Sequence, residues 1–560
     1  MVEAVRTTRG LYLSVITSLV VASCTASGQS SDASLDISAV TTRIDAYCTD
    51  LEAADLGGGT LCIDNGFRVT ADDFGFANWG RSLEADANVT VQTLVDLFGR
   101  SNVCAPGPDG ECILRPGTIQ KLEEWNTALS GGRCEGLAAL ATRFHMRLDH
   151  PSMFRAGATT VADLQRGDGS LNESIVYWWT TQFLPEVADR AAASRNRSPL
   201  ELVEELIVGL ANSTGHTIGL YQDSTGHAVT PFAVTRRDDS YVVHVYDNNH
   251  PGQRREILVD RRTAEWSYPG ASQRIDGTMV DWSGTTGTFE LTPMSARKGP
   301  FRCPFCMIET NEAPTVVTLA SRDPDAPGYL SLSSRQGDIV ATAESVANSI
   351  PGATYVVSKG RTGGLVTVTL PPGMGDFDVT VVRTSRQIPA ADVVVSLQRP
   401  GFGHLQVSGD LAGSRDDTAT GRAVLSVRAG ETTVNAPGAQ LARVSVAAGN
   451  TITRRTLGAG ESLVVSRASV DSIEVSLKGS NGFDHGRVPV PFETDAATRE
   501  VTLTIDANGA LATDSARLSP VAIGRSTAVN FTPGATSVPT TTTAPVPRST
   551  VPSIEVSDPD

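Results

Sequence analysis

The sequence predicts an α+β domain over residues 40–300, a β-sandwich-type region over 315–525 and a disordered tail over 526–560. Three observations carry this division. Apolar residues recur at helical spacing up to about Ala211 and at strand spacing after it. All six tryptophans fall within 40–300, whereas beyond 315 aromatics thin out, cysteine is absent and Val, Thr, Ser and Gly dominate. From about Thr527 the chain turns to Thr, Pro and Ser, as in Thr540-Thr-Thr-Thr-Ala-Pro-Val-Pro, a composition too poor in apolar groups to order itself.

Four helices are expected first. They cover Thr118–Leu129, Cys134–Leu148, Ser174–Ala193 and Pro199–Ala211. In the second, Leu137, Leu140, Ala141 and Phe144 fall near one face. In the fourth, proline opens the helix and Glu201, Glu204 and Glu205 favour its early turns. Strands follow at His227–Thr235, Ser240–Tyr246 and Arg255–Val259, with Asp238-Asp239 as a turn and Asp247–Gln253 as a longer loop. Helices followed by an antiparallel sheet make an α+β domain. Beyond 315, short strands are expected at 355–358, 365–370, 377–382, 393–397, 441–446, 462–466, 472–477 and 501–505. This spacing fits one β-sandwich or two small ones, with a helix at Asp338–Asn348 as the exception.

The amino terminus reads as an export signal. Residues 1–23 hold Arg6 and Arg9, a short apolar stretch from Leu11 to Ala22, and then Val21-Ala22-Ser23-Cys24. This ending resembles a bacterial lipobox, which implies lipid attachment at Cys24 and anchoring to the bacterial membrane; an ordinary cleaved signal is the alternative. Residues 24–39 are small and polar, as a tether requires.

Export changes the reading of the eight cysteines. With Cys24 given to lipid and Cys134 to chemistry, six remain, and local pairing predicts Cys48–Cys62, Cys104–Cys112 and Cys303–Cys306. The last pair, in the linker 301–314, has the spacing of a redox dithiol or half a zinc site, but its flanks favour a structural role. The formal net charge of −16 argues against general nucleic-acid binding. No Gly-rich phosphate loop and no zinc helix of His-Glu-x-x-His form is present, so no cofactor or metal is expected.

Cys134 stands in Ser130-Gly-Gly-Arg-Cys134-Glu-Gly-Leu, at the start of an apolar-periodic segment. Backbone N–H groups at a helix start favour a thiolate, and the flanking glycines let a substrate approach. His227, after Gly226 at the start of a strand, is the expected base; His216, His244 and His250 are rivals, and His145 is structural. The base needs an acceptor on its other nitrogen. Asp247 is favoured because it ends the neighbouring strand and is an anion; Asn249 is the alternative, and Asn248 reads as a turn former. The Cys134 backbone N–H and a side-chain amide would form the oxyanion site. Asn126 is the first choice for that amide and Asn78 the second.

The strings Gly75-Phe-Ala-Asn78-Trp79, Gly132-Arg-Cys134-Glu-Gly-Leu137, Gly226-His227-Ala-Val229 and Val245-Tyr-Asp247-Asn-Asn249 resemble those of papain-like cysteine peptidases, particularly exported bacterial members. The resemblance covers about residues 70–260. It implies a papain-like fold for the first domain, with Cys134 as nucleophile, His227 as proton shuttle and Asp247 or Asn249 orienting it. It also implies a peptide, protein or peptidoglycan-like amide as substrate. The family's frequent glutamine upstream of the nucleophile has no counterpart between Lys121 and Arg133. The rival expectation is a cell-surface adhesion or scaffolding lipoprotein whose papain-like half is degenerate.

Overall fold

A computed structural model describes residues 62–80, 82, 84–273, 278–306, 314–322, 328–342, 345–360, 365–382, 392–400, 402–411, 424–436, 441–467, 469, 472–491 and 498–521. The signal, the tether, Cys24, Cys48 and the Thr/Pro-rich tail lie outside the described residues, and with Cys48 the expected Cys48–Cys62 pair.

The first half places helices α1 (Val91–Phe98), α2 (Arg100–Val103), α3 (Pro116–Ala128), α4 (Cys134–His145), α5 (Leu171–Thr180), α6 (Pro185–Arg195) and α7 (Pro199–Ala211) around one sheet. The single helix expected over Ser174–Ala193 is two. Pro185 opens α6, and the residue before a proline is driven out of the helical region; Leu184 accordingly has ψ 137°. Helix α7 has the bounds that its proline and capping residues predict: Ser198 caps it and exchanges hydrogen bonds with Glu201.

The strands are β1 (Cys62–Asp64), β2 (Cys104–Pro106), β3 (Cys112–Leu114), β4 (His216–Gln222), β5 (Thr225–Arg237), β6 (Ser240–Tyr246), β7 (Arg254–Asp260), β8 (Trp266–Gln273), β9 (Met279–Gly284) and β10 (Phe289–Pro293). The main sheet runs β10-β4-β5-β6-β7-β8-β9, with β1 added against β5, and every pair is antiparallel. One face of β5 meets the helical core through Phe232 and Ala233, and Val229 and Val234 meet α7 on the other. Burial on both faces explains why this strand is apolar almost throughout. A shift of register between Pro231 and Ala233 adjusts its pairing with β6.

Among the described residues the β-rich half forms two nine-stranded sheets. They close over one aliphatic core that includes Val317, Leu332, Val368, Val395, Val444 and Val475. The helix expected at Asp338–Asn348 is instead two strands, Gly337–Ala341 and Val346–Asn348, paired as Ile339 with Asn348. Ile339 and Ala341 point inward while Asp338 and Val340 are exposed, a two-residue period that a helix cannot bury.

The two halves interlock. Gln120 on α3 donates to the carbonyls of His404 and Ser445 (3.1 Å each), and Gln406 returns a bond to the Gln120 carbonyl (2.9 Å). Thr318 bonds Glu124 (2.9 Å), and Ser130 bonds the Ser321 carbonyl (2.7 Å). Ala320, Leu365 and Val394 of the sandwich join the helical core. The segment after β10 is equally embedded: Phe305 packs edge-on against Phe98 and Trp125, beside the Cys303–Cys306 disulfide.

Helix α4 approaches α5 so closely that a Cβ on Gly136 would lie 2.0 Å from the Ile175 carbonyl oxygen. Gly136→Ala must therefore push the two helices apart. We expect a loss of about 2 kcal/mol, read as a lower urea midpoint with an unchanged slope.

Candidate active site

The turn before α4 depends on Gly132, whose φ of 119° is foreign to L side chains and whose Cβ would meet the Asn78 amide at 2.9 Å. That contact shows where Asn78 sits. Its Oδ1 accepts from the Arg133 N–H (2.7 Å), its own N–H donates to the Asn248 carbonyl (2.7 Å), and its Nδ2 donates to Asn249 Oδ1 (3.1 Å). One asparagine thus ties the turn before Cys134 to the loop that follows β6. Arg133 holds the same turn from beneath. Its buried guanidinium donates to the carbonyls of Trp79, Gly80, Ala87 and Leu129 and stacks on Trp79.

The loop after β6 carries three consecutive side chains with different tasks. His227 Nε2 donates to Asp247 Oδ1 (2.7 Å), and the same oxygen accepts from the Asn249 N–H (2.8 Å). Tyr268 OH donates to Asp247 Oδ2 (2.5 Å). Asn248 Nδ2 donates to the carbonyls of Cys134 and Ala228 (3.1 and 2.9 Å), which pins α4 to β5. Asn249 Nδ2 lies 3.3 Å from His227 Nε2.

The Cys134 thiol lies close enough to the His227 ring to favour its charged form. With Nε2 committed to Asp247, Nδ1 is the nitrogen left for the sulfur. Burial works against a charged ring, but Asp247 and then Cys134 outweigh it, raising the His227 pKa to about 10. Burial likewise opposes the Asp247 carboxylate. His227, Tyr268 and the Asn249 N–H more than compensate, lowering its pKa to about 2. Cys134 is itself fully buried, against Ala138 and Ala228. A cleft of about 280 Å³ opens beside His227 and the glycine turn before Cys134, lined by Asn78, Trp79, Gly131, Gly132, Gly226, His227, Asn249, His250, Ser272 and Trp282 but not by Cys134 itself.

The expected residues fall in different places. Cys134, His227, Asp247 and Asn249 come together. Asn126 does not join them: both atoms of its amide bond the backbone of Val89 (2.7 and 2.9 Å), so it braces the segment before α1. Asn78, the second choice, is the one at the turn before Cys134. Asn248 stands in the Asp247–His250 turn, as expected, and its side chain is also a buried crosslink. His216 bonds the Thr214 carbonyl, His244 bonds Thr235 and His145 bonds the Asn65 carbonyl; His250 stands on the cleft rim. Cys104–Cys112 and Cys303–Cys306 are disulfides, and Cys134 is a free cysteine. Among the described residues no group of His, Cys, Asp and Glu side chains could hold a metal ion.

The sequence offered no signal for the charge cluster behind the site. Glu135, next to Cys134, pairs with Arg297 and with Lys359 of the β-rich half (3.1 Å). Lys359 also reaches Glu290 (2.6 Å), which holds Arg195 and accepts from Tyr221 OH (2.7 Å). Burial opposes charge on Lys359, but the two carboxylates outweigh it and keep its pKa above the ordinary lysine value.

No protein-family model, curated protein or solved structure matches the chain.

The His227–Asp247 pair makes stability depend on pH. The folded His227 value lies above the ordinary 6.5, so its contribution is full below pH 6.5 and is lost as pH rises through about 10. The depressed Asp247 value has the opposite sense: its contribution is full above 3.8 and is lost as pH falls through about 2. Urea midpoints of the wild type should fall between neutral and strongly alkaline pH, and His227→Gln should flatten that fall.

Proposed function

We propose that the first domain is a papain-like cysteine hydrolase that cleaves amide bonds, with Cys134 as nucleophile, His227 as proton carrier and Asp247 as the group that orients and charges it. The observation that carries this reading is the 2.7 Å bond from His227 to buried Asp247, with the free Cys134 thiol near the same imidazole and His227 lining an open cleft. Asn249 backs the imidazole from the side of the cleft.

The chemistry follows from the positions. The sulfur attacks the substrate carbonyl, forming a C–S bond as the carbonyl π electrons move to oxygen. The oxyanion collapses, the C–N bond breaks and His227 gives its proton to the departing amine. Water, deprotonated by His227, then attacks the thioester and releases the acid and the thiol. Developing negative charge on the carbonyl oxygen calls for N–H donors at the glycine turn; the Cys134 N–H and the Asn78 Nδ2, which lines the cleft and donates to Asn249 Oδ1, are the groups proposed for it.

The substrate class is a peptide, protein or peptidoglycan-like amide, met outside the cell. Two disulfides fit an oxidising compartment. Export through residues 1–23 and lipid attachment at Cys24 belong to the same proposal. A second reading, a surface adhesion or scaffolding lipoprotein with a silent site, is favoured by the complete burial of Cys134 and the size of the sandwich.

Alkylation of Cys134 by iodoacetamide, located by mass spectrometry, separates the two readings. The wild type should be labelled at Cys134, and His227→Ala should slow labelling at least about tenfold. Asp247→Asn should keep the fold and reduce amide turnover by about 10⁴. Slow labelling at the same rate with and without His227 favours the scaffold.

A further inference from the structure

Strand β5 runs past the end of β6. Their pairing stops at Thr230 and Tyr246, so Gly226 and His227 have β4 on one edge and no β6 on the other. That free edge is taken by the second domain. Gly360 N–H donates to the Gly226 carbonyl (2.8 Å), forming an antiparallel bridge directly before His227. On its other side, a Cβ on Gly360 would lie 3.3 Å from the Gly131 carbonyl oxygen. The backbone at Gly360 therefore spans from the base's strand to the nucleophile's glycine turn, and it forms one wall of the cleft.

This segment is built in. Ser358 N–H donates to the Leu365 carbonyl (2.7 Å), and Ser358 Oγ accepts from the Leu365 N–H (2.8 Å). Lys359 N–H donates to Gln182 Oε1 (2.9 Å), and its ammonium is buried between Glu290 and Glu135. Pulling the lysine out would leave two carboxylates short of a counter-ion.

An extended polypeptide docks by main-chain hydrogen bonds to a free strand edge. Beside His227 that edge is occupied. What remains is the cleft on the Trp79, His250 and Trp282 side, and its volume of about 280 Å³ is at the small end for ligand sites. Resting on the reading of Cys134 and His227 as the catalytic pair, we infer that Ser358–Gly360 is a specificity-determining wall: it excludes the interior of extended chains and confines the site to amide bonds at the end of a chain.

The test compares two reagents with one warhead, an aminoacyl chloromethyl ketone and a long peptidyl chloromethyl ketone, on the full chain. The wild type should alkylate Cys134 at least about tenfold faster with the short reagent, a factor of the size one backbone hydrogen bond commands. Gly360→Pro removes the N–H that bonds Gly226, and Lys359→Met releases the anchor. Each should raise the long-to-short rate ratio by about tenfold or more. Equal rates with both reagents in the wild type, still dependent on His227, would overturn the wall and leave the catalytic pair standing. Labelling that ignores His227 would overturn the pair, and the wall with it. Should either variant fail to fold, the wild-type ratio alone decides.

Discussion

A carboxylate with no exposure to water, Asp247, sets the terms for everything around it. A buried anion needs donors, and it has three: His227, Tyr268 and the Asn249 N–H. Each comes from a different strand or from the loop itself, so satisfying the charge fixes the relative positions of β5, β8 and the end of β6. In return the anion holds the imidazole in one orientation and in its charged form. The neighbouring Asn248 extends the same constraint to helix α4 by bonding the carbonyls of Cys134 and Ala228. The functional geometry and the packing of helix on sheet are one set of hydrogen bonds.

A second buried charge, Lys359, couples the two halves of the molecule. It lies in the β-rich half, yet both its carboxylate partners lie in the first. Together with the polar bonds of Gln120 and Glu124 on α3, this makes the sandwich a buttress of the helix that leads into the glycine turn. A region that composition alone would assign to adhesion is thus in contact with the site through Gly360 and Lys359.

Where structure is decided by local chemistry, it could be read in the chain. Helix α7 is legible because its cap, proline and apolar spacing agree, and β6 because its apolar run is bracketed by turn residues. The break at Pro185 was open to the same reasoning and was missed because the apolar period continues across it. Asp338–Asn348 misled because a short segment of mixed polarity takes its period from its strand partner. The core of the site was legible for a related reason: Cys134 opens a helix, His227 lies near the start of a strand and Asp247 directly follows one, all positions with local signatures. The choice between Asn126 and Asn78 was not. Both are asparagines near aromatic residues, and only the folded path of the chain brings Asn78 to Arg133, 55 residues on in sequence. Lys359 and the wall at Gly360 depend on contacts between domains, for which a single sequence carries no signal.

The state of the His227 ring is the most direct test. Nitrogen NMR of histidine-labelled protein reports protonation at each ring nitrogen across a pH titration. The His227 ring should hold both protons through neutrality and lose one only as pH approaches about 10. A ring that titrates at the ordinary 6.5 or below would contradict it, because Asp247 would then not be holding an imidazolium beside the sulfur.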